Sequence, residues 1–203
     1  MTVHRFFAYL SRLRWIKRWG LMRNVIEENV MEHSWQVATI AHALAVIQKR
    51  LFGGRCNPER VATAALYHDC SEIITGDLPT PIKYHSETIR DAYKAIEKEA
   101  EQDLLSHLPE SMQEDFRPYL IQQELDEETK GLIKSADLIS AFLKCQSELS
   151  AGNQEFSKAK LEIERKIRKL ERPEVDYFMT TFVESYQLTL DELLAHHEPG
   201  RHT

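Results

Sequence analysis

Cysteine is scarce in this sequence, and its three residues, Cys56, Cys70 and Cys145, form neither a Cys-x-x-Cys pair nor an even set that disulfides could close. That speaks against a disulfide framework and makes a reducing cytoplasm the expected compartment. Long apolar runs are missing too. The N-terminal apolar residues are too interrupted for a signal peptide, and no stretch reaches the roughly 18 uninterrupted apolar residues that a membrane span requires. No Gly/Ser linker or internal repeat divides the 203 residues, which suffice for one substantial core. One domain is expected over 1–195, followed by a frayed polar tail over 196–203. Few stretches alternate in the manner of strands, so the chain reads as all-α.

Acidic residues are absent only locally. Residues 1–25 carry six Lys or Arg and no Asp or Glu, whereas the formal net charge of the chain is −6, leaving −12 on the rest. Such a balance disfavours binding to a nucleic-acid polymer. The basic segment also places Phe6, Tyr9, Leu10, Leu13 and Ile16 on one helical face, a pattern shared with transit peptides and membrane-surface helices. An alternative use of its charge is to attract a small anionic substrate.

Against this background His33, His68, Asp69 and Asp137 form the spacing H…HD…D, and two imidazoles with two carboxylates can hold one divalent metal. The context is helical. Val30, Val37, Ile40, Ala41, Leu44 and Ile47 recur at helical spacing up to Phe52-Gly53-Gly54, with His42 expected as a core histidine of that helix. A second helix is expected to begin at Asn57-Pro58 and to carry His68-Asp69 in its last turn. A third, entered through Asp126-Glu127-Glu128, carries Asp137 among apolar neighbours, where a carboxylate needs a partner. Further amphipathic helices are expected through Ile89–Leu104 and Phe156–Leu170, with shorter pieces around Tyr177-Phe178 and Leu190–Leu194. Glu72 follows His68 by four positions and Asp69 by three, so on a helix end all three project to one side. Cys70, beside the pair, reads as a packing residue rather than a nucleophile.

These residues resemble the HD-domain metal-dependent phosphohydrolases, an all-helical superfamily acting on phosphate esters of nucleotides. Arg18-Trp19, the stretch from Glu28 to Ser34, the stretch from Tyr67 to Glu72, Gly76 to Pro81 and Lys134 to Asp137 are similar to the bacterial 5′-deoxynucleotidases of the YfbR type, and the similarity continues to about Leu193.

The resemblance implies an HD-domain helical bundle in which His33, His68, Asp69 and Asp137 bind one divalent metal, with Co²⁺ effective in vitro and Mn²⁺, Cu²⁺ or another transition ion admissible. It implies Glu72 as the catalytic carboxylate and Asp77 as an assistant in proton transfer, the acid and base roles of the two being unassigned. Arg18 would hold the 5′-phosphate, for which a planar guanidinium fork is suited. Asp77, Leu78, Pro79 and Thr80 would line the nucleotide pocket, where His33, Asp69 and Asp137 also meet substrate. Trp19 would pack against the sugar where a ribose carries its 2′-hydroxyl. A hydroxyl pressed on an apolar ring loses water partners at a cost of roughly 1–3 kcal/mol. The implied substrates are deoxyribonucleoside 5′-monophosphates of several bases, and the implied assembly is a homodimer. The alternatives are another HD-domain enzyme acting on a cyclic or signalling nucleotide, and a metal-bearing nucleotide sensor without turnover.

Overall fold

Side-chain caps define the two longest helices among the described residues, around which the chain is built. In the computed structural model, which describes residues 3–83 and 85–195, α2 (Val30–Leu51) opens with a reciprocal capping box between Asn29 and Glu32. It stops before Gly53, whose φ of 72° suits a residue without Cβ. The other long helix, α8 (Glu127–Ser150), begins where Asp126 accepts the Thr129 backbone N–H at 2.8 Å and ends before Gly152, at φ 85°. Between them α3 (Pro58–Leu66) starts with proline in its first turn and Asn57 as its cap. α1 (Phe6–Leu10) precedes α2 and runs into a 3₁₀ turn over Ser11–Trp15. The short α4 (Glu72–Thr75) and α5 (Thr80–Lys83) follow α3, then α6 (Glu87–Ser106) and α7 (Glu110–Leu120). α9 (Ser157–Arg168), α10 (Pro173–Phe182) and α11 (Leu190–Ala195) complete the all-α fold. Among the described residues the sole β pairing is an isolated bridge between Lys17 and Asn29.

Two apolar clusters result. The larger gathers Val37, Ile40, Leu44, Val61, Leu132, Ile139, Phe156 and Val175 from α2, α3, α8, the 3₁₀ turn before α9, and α10. The smaller contains Phe6, Cys70, Leu104, Leu105, Leu108, Leu120 and Ile121. Each fully buried aliphatic side chain contributes about 1.5–3 kcal/mol of transfer free energy. The Tyr67–Cys70 turn lies between the clusters, with Ala65 packed in the first and Cys70 in the second.

Several expectations change. His42 is exposed: Ile40, Ala41, Leu44 and Ala45 take the buried stripe of α2, and position 42 falls on its opposite side. α3 ends at Leu66, one turn earlier than expected, so His68-Asp69 occupy the turn beyond it. There Tyr67 and His68 donate to the carbonyls of Ala64 and Ala65, three residues back, tightening the chain out of α geometry. α7 arises in a stretch for which the periodicity gave no element. The basic N-terminal segment turns its apolar side inward: Phe6 is 1% exposed and meets Phe116 edge-on at 5.4 Å. No helix among the described residues is long and apolar enough to cross a membrane. The expected tail, 196–203, lies outside the described residues.

Candidate active site

His33 projects from the second turn of α2 into the gap between the clusters, where it is 1% exposed. Its Nε2 lies 3.4 Å from Asp69 Oδ2 and 3.2 Å from Asp137 Oδ1, the latter contributed by α8. His68 Nε2 lies 3.1 Å from the same Asp69 oxygen. One donor atom from each of His33, His68 and Asp69 falls within 4.8 Å of the others. Asp137 stands beside this trio, and its side chain is 42% exposed, so the cluster is open on that side.

The tautomers follow from the hydrogen bonds on the far side of each ring. His68 Nδ1 is 2.7 Å from the Ala65 carbonyl, which can only accept, so Nδ1 carries the hydrogen and Nε2 keeps a lone pair. His33 Nδ1 is 3.1 Å from Ser140 Oγ, whose own hydrogen goes to Gln36 Oε1 at 2.7 Å. His33 therefore also donates from Nδ1 and leaves Nε2 bare. Both Nε2 atoms are buried without a hydrogen-bond partner. Bare lone pairs facing carboxylate oxygens repel unless positive charge lies between them, and two imidazoles with carboxylates are the donor set that a divalent transition ion takes. The residues therefore fit one divalent metal. Without it a proton fills the role at His33: burial and Arg18 push the imidazole down, but Asp137 and Asp69 outweigh them and raise it to about 9. Burial alone would raise Asp69 and Asp137, yet the histidine contacts hold both below the usual carboxylate range.

Arg18 closes the other side. Its Nη1 is 3.3 Å from Asp69 Oδ2 and its Nη2 is 4.0 Å from Asp137 Oδ1. Burial works against its charge, and Asp69, Asp137, Glu28 and Asp77 more than compensate. Arg18 and its neighbour stand where they do because residues 16–18 are pinned to 28–30: Arg18 N–H donates to the Glu28 carbonyl, and Val30 N–H to that of Ile16, each at 3.0 Å. The loop between is held from α8, where Glu148 accepts the Val25 and Ile26 N–H groups at 3.0 Å and pairs with Lys144. Trp19 then takes a left-handed backbone (φ 60°), rare for a bulky residue. Its indole packs on Phe156 at 5.4 Å and donates to Glu28 Oε2 at 2.7 Å.

Glu72, the first residue of α4, is 7% exposed with Oε2 unpartnered. Burial together with Asp69 and Asp77 pushes its carboxyl up to about 10, against Arg18 and Lys83. A carboxyl so raised holds a proton at neutral pH in the metal-free protein and is positioned for proton transfer. Asp77 is raised as well, by burial first, with Arg18 and the Trp19 backbone N–H acting against it. It lies past Gly76, whose φ of 68° turns the chain out of α4. Leu78 and Pro79 are half-buried and Thr80 is exposed at the start of α5. Thus Arg18, Trp19, His33, His68, Asp69, Glu72, Asp77 and Asp137 converge. Sequence reasoning gave no role to Ser140, Gln36 or Glu28. The first two follow Asp137 and His33 by three positions, a helical spacing that shares a face and could have pointed to them; Glu28 precedes its helix and carries no such signal.

A helical bundle that brings two histidines and two aspartates together beside a buried arginine has the make-up of an HD-domain phosphohydrolase. The 5′-deoxynucleotidase YfbR-like family model matches residues 5–186, and the chain belongs to that family. As a member it is a 5′-deoxynucleotidase, a phosphoric monoester hydrolase. A 5′-deoxynucleotidase of Vibrio vulnificus (strain YJ016) is 54% identical over 193 residues, covering 95% of this chain and 100% of that protein. A 5′-deoxynucleotidase of Yersinia pestis (strain Pestoides F) is 56% identical over 188 residues, covering 93% and 95%. An HD-domain phosphohydrolase from Listeria innocua shares the fold, with a TM-score of 0.78 at 24% identity, over 97% of this chain and 96% of that one. So does the cyanophage S-2L HD phosphohydrolase bound to dA and one catalytic Zn²⁺ ion, with a TM-score of 0.65 at 21% identity, over 90% and 96%.

Proposed function

We propose that the chain hydrolyses deoxyribonucleoside 5′-monophosphates of several bases to deoxyribonucleosides and phosphate, and that it rejects ribonucleotides. The observation that carries this reading is the convergence of the His33 and His68 Nε2 atoms on Asp69, and of His33 Nε2 on Asp137, with the Arg18 guanidinium against the same two carboxylates.

His33, His68, Asp69 and Asp137 would hold one divalent transition ion, with Co²⁺, Mn²⁺, Cu²⁺ and the Zn²⁺ of the cyanophage relative all compatible with the ligand types. When bound, such an ion polarises a phosphoryl oxygen and lowers the pKa of a bound water. Arg18 turns its Nη groups from the aspartates to the equatorial phosphate oxygens, neutralising charge that grows in the transition state. Glu72 takes the proton of the attacking water or orients it; as the P–O5′ bond breaks, Glu72 or Asp77 returns a proton to the leaving 5′-oxygen. Trp19 forms the wall beside C2′, and Leu78, Pro79 and Thr80 line the nucleoside end. A monophosphate is favoured over a diester or a longer phosphate because the arginine clamp is a single guanidinium drawn tight to the metal carboxylates.

The remaining assignments are one domain over 1–195, a cytoplasmic setting and a homodimer. Three free thiols are in keeping with that setting. Exposed Ile26 ahead of α2, Trp35 on α2 and Tyr186 in the 3₁₀ turn after α10, and exposed Leu190, Leu193 and Leu194 on α11, offer apolar surface to a second copy. Sedimentation of the full chain reads the assembly directly.

Phosphate release from dAMP with AMP, and dCMP with CMP, tests the activity on metal-stripped protein with Co²⁺, Mn²⁺ or nothing restored. Metal-dependent release from the deoxy member of each pair is expected. Equal release from both sugars would remove the Trp19 argument, and none with any metal would move the reading to another phosphate ester or to a sensor. Glu72→Ala should bind dAMP without turning it over.

A further inference from the structure

Glu28 is a largely buried carboxylate beside Asp69, Glu72, Asp77 and Asp137, close to a site proposed to receive a dianion, where one more carboxylate works against phosphate binding. Its side chain is 12% exposed, and it does not belong to the metal donor group. Its contacts explain its place. Oε2 accepts the Trp19 indole N–H at 2.7 Å and lies 3.5 Å from Arg18 Nε, while Oε1 lies 3.8 Å from His33 Nδ1. Its main-chain carbonyl fixes the Arg18 N–H, and its neighbour Asn29 caps the helix that carries His33.

The indole needs this anchor. The left-handed backbone of Trp19 does not by itself choose a rotamer, and its packing on Phe156 at the edge of the larger apolar cluster supplies no partner for the indole N–H. A buried indole N–H without a partner costs about 1–3 kcal/mol, so the ring would swing to find one. Accepting that N–H, Glu28 stops the ring in one orientation; standing beside Arg18 Nε, it leaves both Nη groups pointing at the metal carboxylates.

We infer that Glu28 is a positioning residue for sugar selection: its carboxylate orients the Trp19 indole against the place of the 2′-hydroxyl and ties that wall to the phosphate-binding arginine. The inference rests on the reading of Trp19 given under Proposed function. Selectivity then belongs to a unit of three side chains rather than to a tryptophan alone.

The test is the ratio of kcat/KM for dAMP to that for AMP, in which changes at Arg18 cancel because both substrates carry the same phosphate. An apolar wall rejects an added hydroxyl by about a hundredfold. Glu28→Ala is expected to lower the ratio at least about tenfold, and Glu28→Gln, whose amide oxygen can still accept the indole N–H, to keep it within about threefold. In a Trp19→Phe background, which has no N–H to anchor, Glu28→Ala should change the ratio less than about twofold. A second readout needs no activity: solvent exchange of the indole N–H by NMR. Trp15 and Trp35 are 73% and 66% exposed, so the protected indole is that of Trp19, and Glu28→Ala should abolish its protection. A wild-type ratio well above one that survives Glu28→Ala, an equal loss in the Trp19→Phe background, or an indole that stays protected would overturn the inference. A wild-type ratio near one would instead sink the sugar-wall reading, and loss or retention of indole protection would still decide whether Glu28 positions the ring.

Discussion

His33 and Ser140, on α2 and α8, share one hydrogen bond, 3.1 Å from Nδ1 to Oγ, and it sets which nitrogen of the imidazole faces the aspartates. Ser140 can accept from His33 because its own hydrogen is committed to Gln36. Ser140→Ala frees the ring to take the other tautomer or to turn. A loss of about 10–100-fold in metal affinity is expected, read by competition with a chromogenic chelator. A change under about threefold would mean that the tautomer is set elsewhere.

Glu148 is fully buried and holds four donors: the Val25 and Ile26 N–H groups, Asn153 and Lys144. These bonds keep its carboxyl down, at about 2, although burial alone would raise it. Glu148→Ala leaves the buried Lys144 charge and two backbone N–H groups uncompensated. Destabilisation of about 3–5 kcal/mol in urea unfolding is expected. The loop it holds leads to Glu28, so the surviving native protein should also show a raised KM for dAMP.

Glu101 supplies a pH dependence outside the His33–His68–Asp69–Asp137 cluster. It is 5% exposed and accepts the Gln122 N–H at 3.2 Å. Burial raises its carboxyl to about 7, against that hydrogen bond and with help from Glu97 and Glu124. The folded state therefore holds a proton that the unfolded state, with its ordinary pKa near 4.5, has released. Stability from this group is complete below that value and is lost as pH rises through about 7. Glu101→Gln should leave the thermal midpoint unchanged at pH 4 and stabilise the protein by about 1–2 kcal/mol at pH 8. Equal effects at both pH values would assign the change to packing.

The three thiols should separate by reactivity. Cys70 is 2% exposed and pushed far up by burial, with Glu101 and Asp69 adding to it, while burial brings Cys145 up to about 12. Cys56 is half-buried. A thiol reagent at pH 8 should modify Cys56 alone in the native protein and all three residues in denaturant; rapid native labelling of Cys70 would contradict the packing at the site.

The helices were legible wherever a cap and a period coincided. Asn57-Pro58 and Asp126 mark starts that the structure keeps, and Gly53 marks the end of α2, whereas the Asn29–Glu32 box at its head shows only in the structure. The convergence of His33, His68, Asp69 and Asp137 was legible because their residue types and helical context suit one shared ion. The end of α3 was not. It depends on the His68 ring taking the Ala65 carbonyl, a choice between side chain and backbone that a periodicity cannot display. The burial of Glu28 and Glu148 was hidden for a related reason: both look like surface glutamates until residues more than 100 positions away, or a left-handed tryptophan, give them donors.

The donor cluster sits where the two apolar clusters meet, and its members come from α2, from the turn after α3 and from α8. An ion held by all of them would act as a cross-link closing the chain from residue 33 to residue 137, much as a disulfide closes a loop. Its binding free energy would then be shared between chemistry and cohesion. Metal supply would govern the lifetime of the protein against proteases as well as its turnover.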